Sequence, residues 1–116
     1  MTMATARTIP LFPSEPNYRV ATTIDSVQYL LDVRWNARDA AWYFDLLRQD
    51  ETPIASGLKI VLGANIGRSS PDPFFQQYML TAIDLSSTNR DATFDDIGVR
   101  VVVIVQSVTD LLYGRA

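Results

Sequence analysis

Three aspartates in the segment Asn89–Gly98 (NRDATFDDIG) are the first residues whose type and spacing could do chemistry. Asp91, Asp95 and Asp96 offer the carboxylate oxygens that Ca²⁺ and Mg²⁺ prefer. The run lacks the alternation of ligands and the closing glutamate of an EF-hand loop. It therefore favours a solvated loop that is anchored by the apolar ring of Phe94.

A second candidate is the glycine-containing segment Gly63–Ser70 (GANIGRSS), which follows an apolar run as a phosphate-binding loop would. The spacing between its glycines is one residue short of that motif, and an arginine stands where the motif requires lysine. Pro71 and Pro73 oppose a helix directly after it. The segment is more typical of a glycine-assisted turn, and it predicts no cofactor.

Acid–base catalysis by two carboxylates is the remaining chemical possibility. The chain has 13 acidic residues, and no spacing singles out one pair of them. It contains no histidine, the usual general base near neutral pH, and no cysteine for thiolate chemistry or disulfides. We therefore predict a protein that is not an enzyme and that holds no cofactor or metal.

The composition narrows the possible partners. The 116 residues suit one domain, with 47% hydrophobic and 20% charged residues. The net charge of −3 argues against a nucleic-acid or anionic-membrane surface, which would carry a basic patch. No apolar run approaches the roughly 20 residues of a membrane-spanning helix, and no signal peptide is evident. We expect a soluble protein made in the cytoplasm.

Alternating apolar and polar residues dominate the chain and predict strands. Val27–Asn36 and Ala41–Arg48 both alternate, and the short segment Ala37–Ala40 between them predicts a hairpin. In such a hairpin the first residues beyond the loop lie opposite each other, so Trp35 and Trp42 either pair across the strands or cap one end of the core. We predict a structural core that includes Tyr29, Trp35, Trp42 and Phe44.

Five further segments complete the predicted fold. They are Thr8–Phe12, an edge strand interrupted by a proline; Tyr18–Ile24; Ile54–Leu62, with a bulge at Gly57; Tyr78–Leu85; and Gly98–Val105, the best candidate for a central strand. The prediction is an all-β fold: a single antiparallel β-sandwich or partly open β-barrel of six to seven strands. One domain spans residues 1–116, with an extended N-terminal arm (1–11) and a C-terminal tail (107–116).

Six apolar residues lie outside the strongest alternation, so no local pattern assigns them to the core. They are Phe74, Phe75, Tyr78, Leu111, Leu112 and Tyr113. If exposed, they would form patches suited to protein contacts. If folded back, they would cover the ends of the core. The sequence leaves both alternatives open, and we take the six as candidate partner contacts.

The main alternative hypothesis for the function is a binding module of another class. A small β-barrel can bind single-stranded nucleic acid or an oligosaccharide on exposed aromatic side chains, and Tyr18, Tyr29, Trp35 and Phe44 all fall on predicted strands. These positions share the apolar face of their strands, however, which favours the core. The acidic net charge also weakens attraction to a polyanion.

The order of several short motifs resembles a known family. Ile9-Pro10-Leu11 precedes the motif Tyr29–Asn36 (YLLDVRWN), and Trp42–Leu46 (WYFDL) follows. Next come Pro53–Gly57 (PIASG), Leu58–Asn65 (LKIVLGAN) and Phe94–Arg100 (FDDIGVR). This collinear series, from about Ile9 to Val105, resembles the small baseplate plug proteins of bacteriophages with contractile tails.

The resemblance implies a structural, non-enzymatic part of the virion. Such a protein is expected near the tail axis at the baseplate, in multiple copies, in contact with hub, spike or tube proteins, and assembled in the host cytoplasm. It implies no catalytic residues and no nucleic-acid or membrane partner. The loop Gly63–Gln77 and the two chain ends are the candidate contact segments.

Overall fold

A computed structural model describes residues 7–108, which form seven strands and one short helix. The elements are β1 (Arg7–Ile9), β2 (Asn17–Ile24), β3 (Val27–Asn36), β4 (Ala41–Arg48), β5 (Pro53–Lys59), α1 (Phe74–Gln77), β6 (Tyr78–Asp84) and β7 (Val101–Ser107). They build a four-stranded sheet in the order β2-β3-β4-β5 and a three-stranded sheet in the order β1-β7-β6. All strand pairs are antiparallel, and the sheets do not close into a barrel. The predicted all-β fold is confirmed in its sandwich form.

Consecutive hairpins build the four-stranded sheet. Asp25 and Ser26 both have positive φ (50° and 71°), the geometry whose twist matches two directly connected strands, and they join β2 to β3. In the next hairpin Trp35 pairs with Trp42 across the strands, one of the two predicted arrangements. The loop before Trp42 is held by the backbone N–H of Asp39, which donates to Asn36 Oδ1 at 3.0 Å.

Strand β5 carries the predicted bulge. Its register against β4 shifts between the pairs Phe44–Leu58 and Leu46–Ala55. Gly57 adopts φ +68°, and its N–H donates to Asp45 Oδ1 at 2.7 Å. The glycine is needed there because left-handed backbone conformations cost other residues energy.

The chain leaves the four-stranded sheet earlier than predicted. Strand β5 ends at Lys59 and not at Leu62. The N–H of Ile60 still donates to the carbonyl of Trp42 at 2.9 Å, but Leu62 pairs with Ala82 of the other sheet. Ile60–Leu62 therefore crosses between the two layers, which a simple strand pattern does not reveal.

Strand β7 is central in its sheet, as predicted, and β1 lies at the edge. Strand β7 begins at Val101 and not at Gly98, because residues 98–100 form a turn. Gly98 has φ +80°, and a Cβ atom built on it would collide with the backbone carbonyl of Leu11. This position requires glycine on both grounds.

The core fills the space between the sheets. The largest fully buried side chains include Trp42, Phe44, Leu31 and Leu46 from the four-stranded sheet, and Leu80, Val101 and Val103 from the three-stranded sheet. Tyr29 and Trp35, two of the four predicted core residues, are half-buried and pack against this cluster. No helix within residues 7–108 is long and apolar enough to cross a membrane.

Replacing Trp42 with alanine tests the packing of this core. Trp42 is 0% exposed, so we expect Trp42→Ala to lower the free energy of unfolding by about 3–5 kcal/mol. Trp35→Ala is the matched control and should cost less, because Trp35 is only half-buried. Chemical denaturation of both variants measures the difference. Equal stability of Trp42→Ala and the parent chain would contradict the packing.

Candidate partner-binding surfaces

Phe74, a predicted partner contact, is a core residue in the folded chain. Its side chain is 5% exposed and lies in the four-residue helix α1, which the sequence analysis did not predict. The ring centroid is 5.1 Å from that of Tyr29 and 5.0 Å from those of Phe75 and Tyr78. The prediction of a surface contact is corrected for Phe74, because this cluster of rings encloses it.

Asp72 holds Phe74 in place. One carboxylate oxygen accepts the N–H of Phe74 at 2.9 Å, and Arg48 Nη2 donates to both carboxylate oxygens at 2.9 and 3.0 Å. Burial alone would raise the pKa of Asp72, but the bonds from Phe74 and Arg48 lower it overall. The contact ties the loop before α1 to the end of β4.

Phe75 and Tyr78 are half-buried at the rim of the same cluster. The hydroxyl of Tyr78 donates to Asp25 Oδ2 at 2.6 Å, and burial together with this bond raises the pKa of Tyr78 to about 12. A role for these two residues in partner contact stays a prediction. Leu111, Leu112 and Tyr113, with most of the predicted tail and residues 1–6 of the predicted arm, lie outside the described residues.

A second aromatic cluster lies at the opposite end of the sandwich. The rings of Trp42 and Phe94 stack with a 5.9 Å centroid separation and a 7° interplanar angle, and Trp35 packs edge-on against Trp42 at 5.3 Å. Tyr18 contacts Trp42 at 6.3 Å and Phe12 at 5.5 Å. Phe94 therefore anchors its loop, as the sequence predicted.

The three candidate metal ligands bind different groups of the protein. Asp91 Oδ1 accepts the N–H of Leu62 at 2.9 Å, and Asp95 Oδ1 accepts the hydroxyl of Ser14 at 2.8 Å. Asp96 Oδ2 accepts Arg100 Nε at 2.7 Å. Within residues 7–108, no group of three or more acidic, histidine or cysteine side chains is arranged to hold a metal ion.

Arg100 organises the whole loop between β6 and β7. Besides Asp96, its guanidinium donates to Asp84 Oδ2 at 2.8 Å and to the carbonyls of Arg90 and Asp91 at 2.9 and 2.8 Å. The side chains of Arg100 and Asp84 are only 12% and 6% exposed. A charge-assisted network of this kind fixes a long loop in one conformation.

Asp84 is held as an anion in this network. Burial by itself would raise the pKa of Asp84, but hydrogen bonds from the side chain and N–H of Ser86, from the Thr88 hydroxyl and from the N–H of Arg90 lower it well below its ordinary value. The pKa of Asp96 is also lowered: burial opposes the shift, and bonds from Arg100 and Thr93 outweigh it. Both carboxylates are structural.

The segment Gly63–Ser70 forms a turn against the three-stranded sheet. The N–H of Ile66 donates to the carbonyl of Leu80 at 2.9 Å, and Ile66 is buried. Gly67 has φ +84°, and a Cβ atom there would collide with the ring of Phe75. The glycines of this segment allow the turn and the close packing of the turn against Phe75.

The outer face of the four-stranded sheet carries charges. Arg19 Nε lies 2.6 Å from Asp32 Oδ1, and Arg34 Nη1 lies 3.1 Å from Asp45 Oδ1. The bond to Asp32 is the main cause of the raised pKa of Arg19. We call this surface the charged face. Exposed ion pairs of this kind contribute little to stability.

The outer face of the three-stranded sheet has no charged side chain on its described strands. Alternation and burial place these residues on it: Thr8 on β1, Met79, Thr81 and Ile83 on β6, and Val102, Ile104 and Gln106 on β7. We call this surface the uncharged face. The uncharged face was not predicted from the sequence, although Val102 and Ile104 alternate with the buried valines of the predicted central strand.

The fold is an all-β sandwich of two antiparallel sheets. Its candidate metal ligands Asp91, Asp95 and Asp96 each bind a different group of the described chain. A family model described as "Cyanophage baseplate Pam3 plug gp18" matches residues 6–108, and the chain belongs to that family. It is thus a structural protein of the phage virion, of the baseplate plug family. No curated protein matches the chain.

The burial of Phe74 gives a test by substitution. We expect Phe74→Ala to lower the free energy of unfolding by about 3–5 kcal/mol, as truncation of a buried phenylalanine does. Phe75→Ala, at the half-buried neighbour, is the control and should cost less. Urea denaturation of both variants measures the costs. A larger loss of stability for Phe75→Ala than for Phe74→Ala would contradict the placement of Phe74 at the centre of the aromatic cluster.

The lowered pKa of Asp84 predicts how the stability contributed by this carboxylate depends on pH. A carboxyl whose pKa is lower in the folded state stabilises the fold above its unfolded pKa of about 3.9, and that contribution declines as the pH falls. The stability gap between the parent chain and Asp84→Asn should therefore be largest near pH 6 and should narrow below pH 4.

Denaturation at pH 6, 4 and 2.5 measures this gap. Phe75→Ala is the control, because it removes no titrating group and its cost should vary less with pH. A gap for Asp84→Asn that widened on acidification would show that the protonated form of Asp84 is the one favoured by the fold.

Proposed function

We propose that this chain acts as a plug at the hub and tube region of the phage tail baseplate, through protein–protein contacts and without catalysis. The observation that carries the proposal is the family match, which covers residues 6–108 and hence the whole described sandwich. The proposed partners are the hub, spike and tube proteins of the same tail. The chain would be present in several copies and would be assembled in the host cytoplasm.

The internal contacts support a role that depends on surface and shape. Asp91, Asp95 and Asp96 each anchor a loop, and Arg100 binds two carboxylates and two backbone carbonyls. These groups are engaged in holding the fold, so they support a rigid structural part better than they support a reaction centre. A rigid surface suits assembly, because few side chains need to be ordered when a partner binds.

The rival function, binding of single-stranded nucleic acid or oligosaccharide by a small barrel, lacks a supporting observation. The sheets are not closed into a barrel. The aromatic residues considered for that role pack into or against the core: Phe44 is 1% exposed, and Tyr18, Tyr29 and Trp35 are half-buried against the core. They do not form the exposed stacking platform that such binding uses.

Recovery of the chain from phage particles tests the proposed function. A tagged chain, expressed during infection by its own phage, should be recovered in purified particles together with baseplate proteins identified by mass spectrometry. An unrelated tagged protein of similar size is the control for trapping. Recovery of the chain only as a free protein, absent from particles, would refute the baseplate role.

A further inference from the structure

The uncharged face differs from an ordinary solvent-facing sheet surface. Antiparallel sheets with one face in water usually place polar side chains there, as the charged face of this protein does. On the uncharged face, Ile83 is 38% exposed, and Val102 and Ile104 are half-buried and do not join the core cluster of the described chain. This sheet therefore presents apolar side chains on both sides.

The apolar surface continues past the end of the strands. Leu85 is 63% exposed, the highest value among the large hydrophobic residues that are exposed in the described chain. The N–H of Leu85 donates to the carbonyl of Arg100 at 2.7 Å, which extends the pairing of β6 with β7 and brings Leu85 to the end of the face. Contiguous exposed apolar residues mark interaction sites.

The chemistry of the face sets the chemistry of its partner. A charged group buried against Val102 and Ile104 would lose its hydration without gaining an opposite charge, which is unfavourable. The nearby charges of Arg100, Asp84 and Asp96 are already satisfied by one another and are at most 23% exposed. The matching surface is therefore uncharged and apolar.

The face is too small to hold two free copies together. Strands β6 and β7 have seven residues each and β1 has three, so at about 3.3 Å per residue and about 4.8 Å between strands the face covers roughly 270 Å². A stable pair of proteins buries about 800 Å² on each side, so two copies that met only through this face would associate weakly. The family match implies association with other tail or baseplate proteins, and within such an assembly a contact of this size is sufficient because other contacts hold the components in place.

We propose that the uncharged face is the surface through which this chain docks against another tail protein, which presents an uncharged, apolar protein surface to it. This inference rests on the proposed baseplate role and adds the surface and the kind of partner.

Site-specific photo-crosslinking in assembled particles tests the docking surface and its occupant together. A photoreactive phenylalanine analogue replaces Ile104, at the centre of the uncharged face, and in the matched control it replaces Leu30, an outward-facing residue of β3 on the other sheet. Particles are purified and irradiated, and the crosslinked peptides are identified by mass spectrometry. We expect the probe at position 104 to crosslink to an apolar segment of another tail protein, and the probe at position 30 to crosslink at least tenfold less.

The other outcomes each overturn the proposal. Crosslinking of position 104 to a second copy, or to residues 109–116 of the same chain, would assign the face to a different occupant. Absence of crosslinks at position 104 in particles that contain the chain would remove the docking surface while leaving the baseplate role intact. Absence of the chain from particles, already for the unsubstituted protein, is the separate failure of the proposed function.

Charge substitution gives an independent readout of the same surface. Ile104→Glu should lower incorporation into particles at least tenfold, because it buries a charge at the contact, whereas Leu30→Glu should leave incorporation within about twofold of the parent chain. Circular dichroism and thermal unfolding of both variants check that they fold. A folded Ile104→Glu variant that is incorporated as well as Leu30→Glu would contradict the proposal.

Discussion

The fold depends most on the position of Trp42. Its ring is fully buried, stacks on Phe94 and receives the edges of Trp35 and Tyr18, while its Nε1–H donates to the carbonyl of Thr93 at 2.9 Å and its own carbonyl accepts the N–H of Ile60. One residue thereby joins the central hairpin to the loop that enters β7 and to the crossing segment after β5. An indole suits this position because it supplies a large apolar surface and one donor, and here the donor has a partner.

The motifs that carry the family resemblance are structural in the same sense. Asp45 of WYFDL accepts the N–H of Gly57 from PIASG, and Asp96 and Arg100 of FDDIGVR bind each other, while Gly98 between them makes room for the carbonyl of Leu11. These residues of the motifs lie at the turns, the bulge and the loop network. The contacts of these motifs hold the fold together. They leave exposed two outer sheet faces that differ sharply in charge.

Much of the fold could be predicted from the sequence, because the alternation in β2, β3 and β4 is nearly unbroken and the hairpin residues have the expected turn chemistry. The crossing at Ile60–Leu62 and the helix at Phe74 could not be predicted, since they depend on contacts with residues distant in the sequence, Ala82 for the crossing and Tyr29 for the helix. For the candidate site, the sequence alone could not tell whether Phe74 lies at the surface or in the core. The rings that surround it in the folded chain show that it is a core residue. The uncharged face was missed because a run of β-branched residues predicts a buried central strand whether one side of it or both are covered.

Electron cryomicroscopy of the purified tail tests the central claim most directly, because it shows where the chain lies and which face is covered. The account predicts density for the two-sheet sandwich at the baseplate, with a neighbouring tail protein packed over Val102 and Ile104. A baseplate without this density would contradict the assignment as a plug. Density in which the uncharged face lies open to water would contradict the proposed mode of docking.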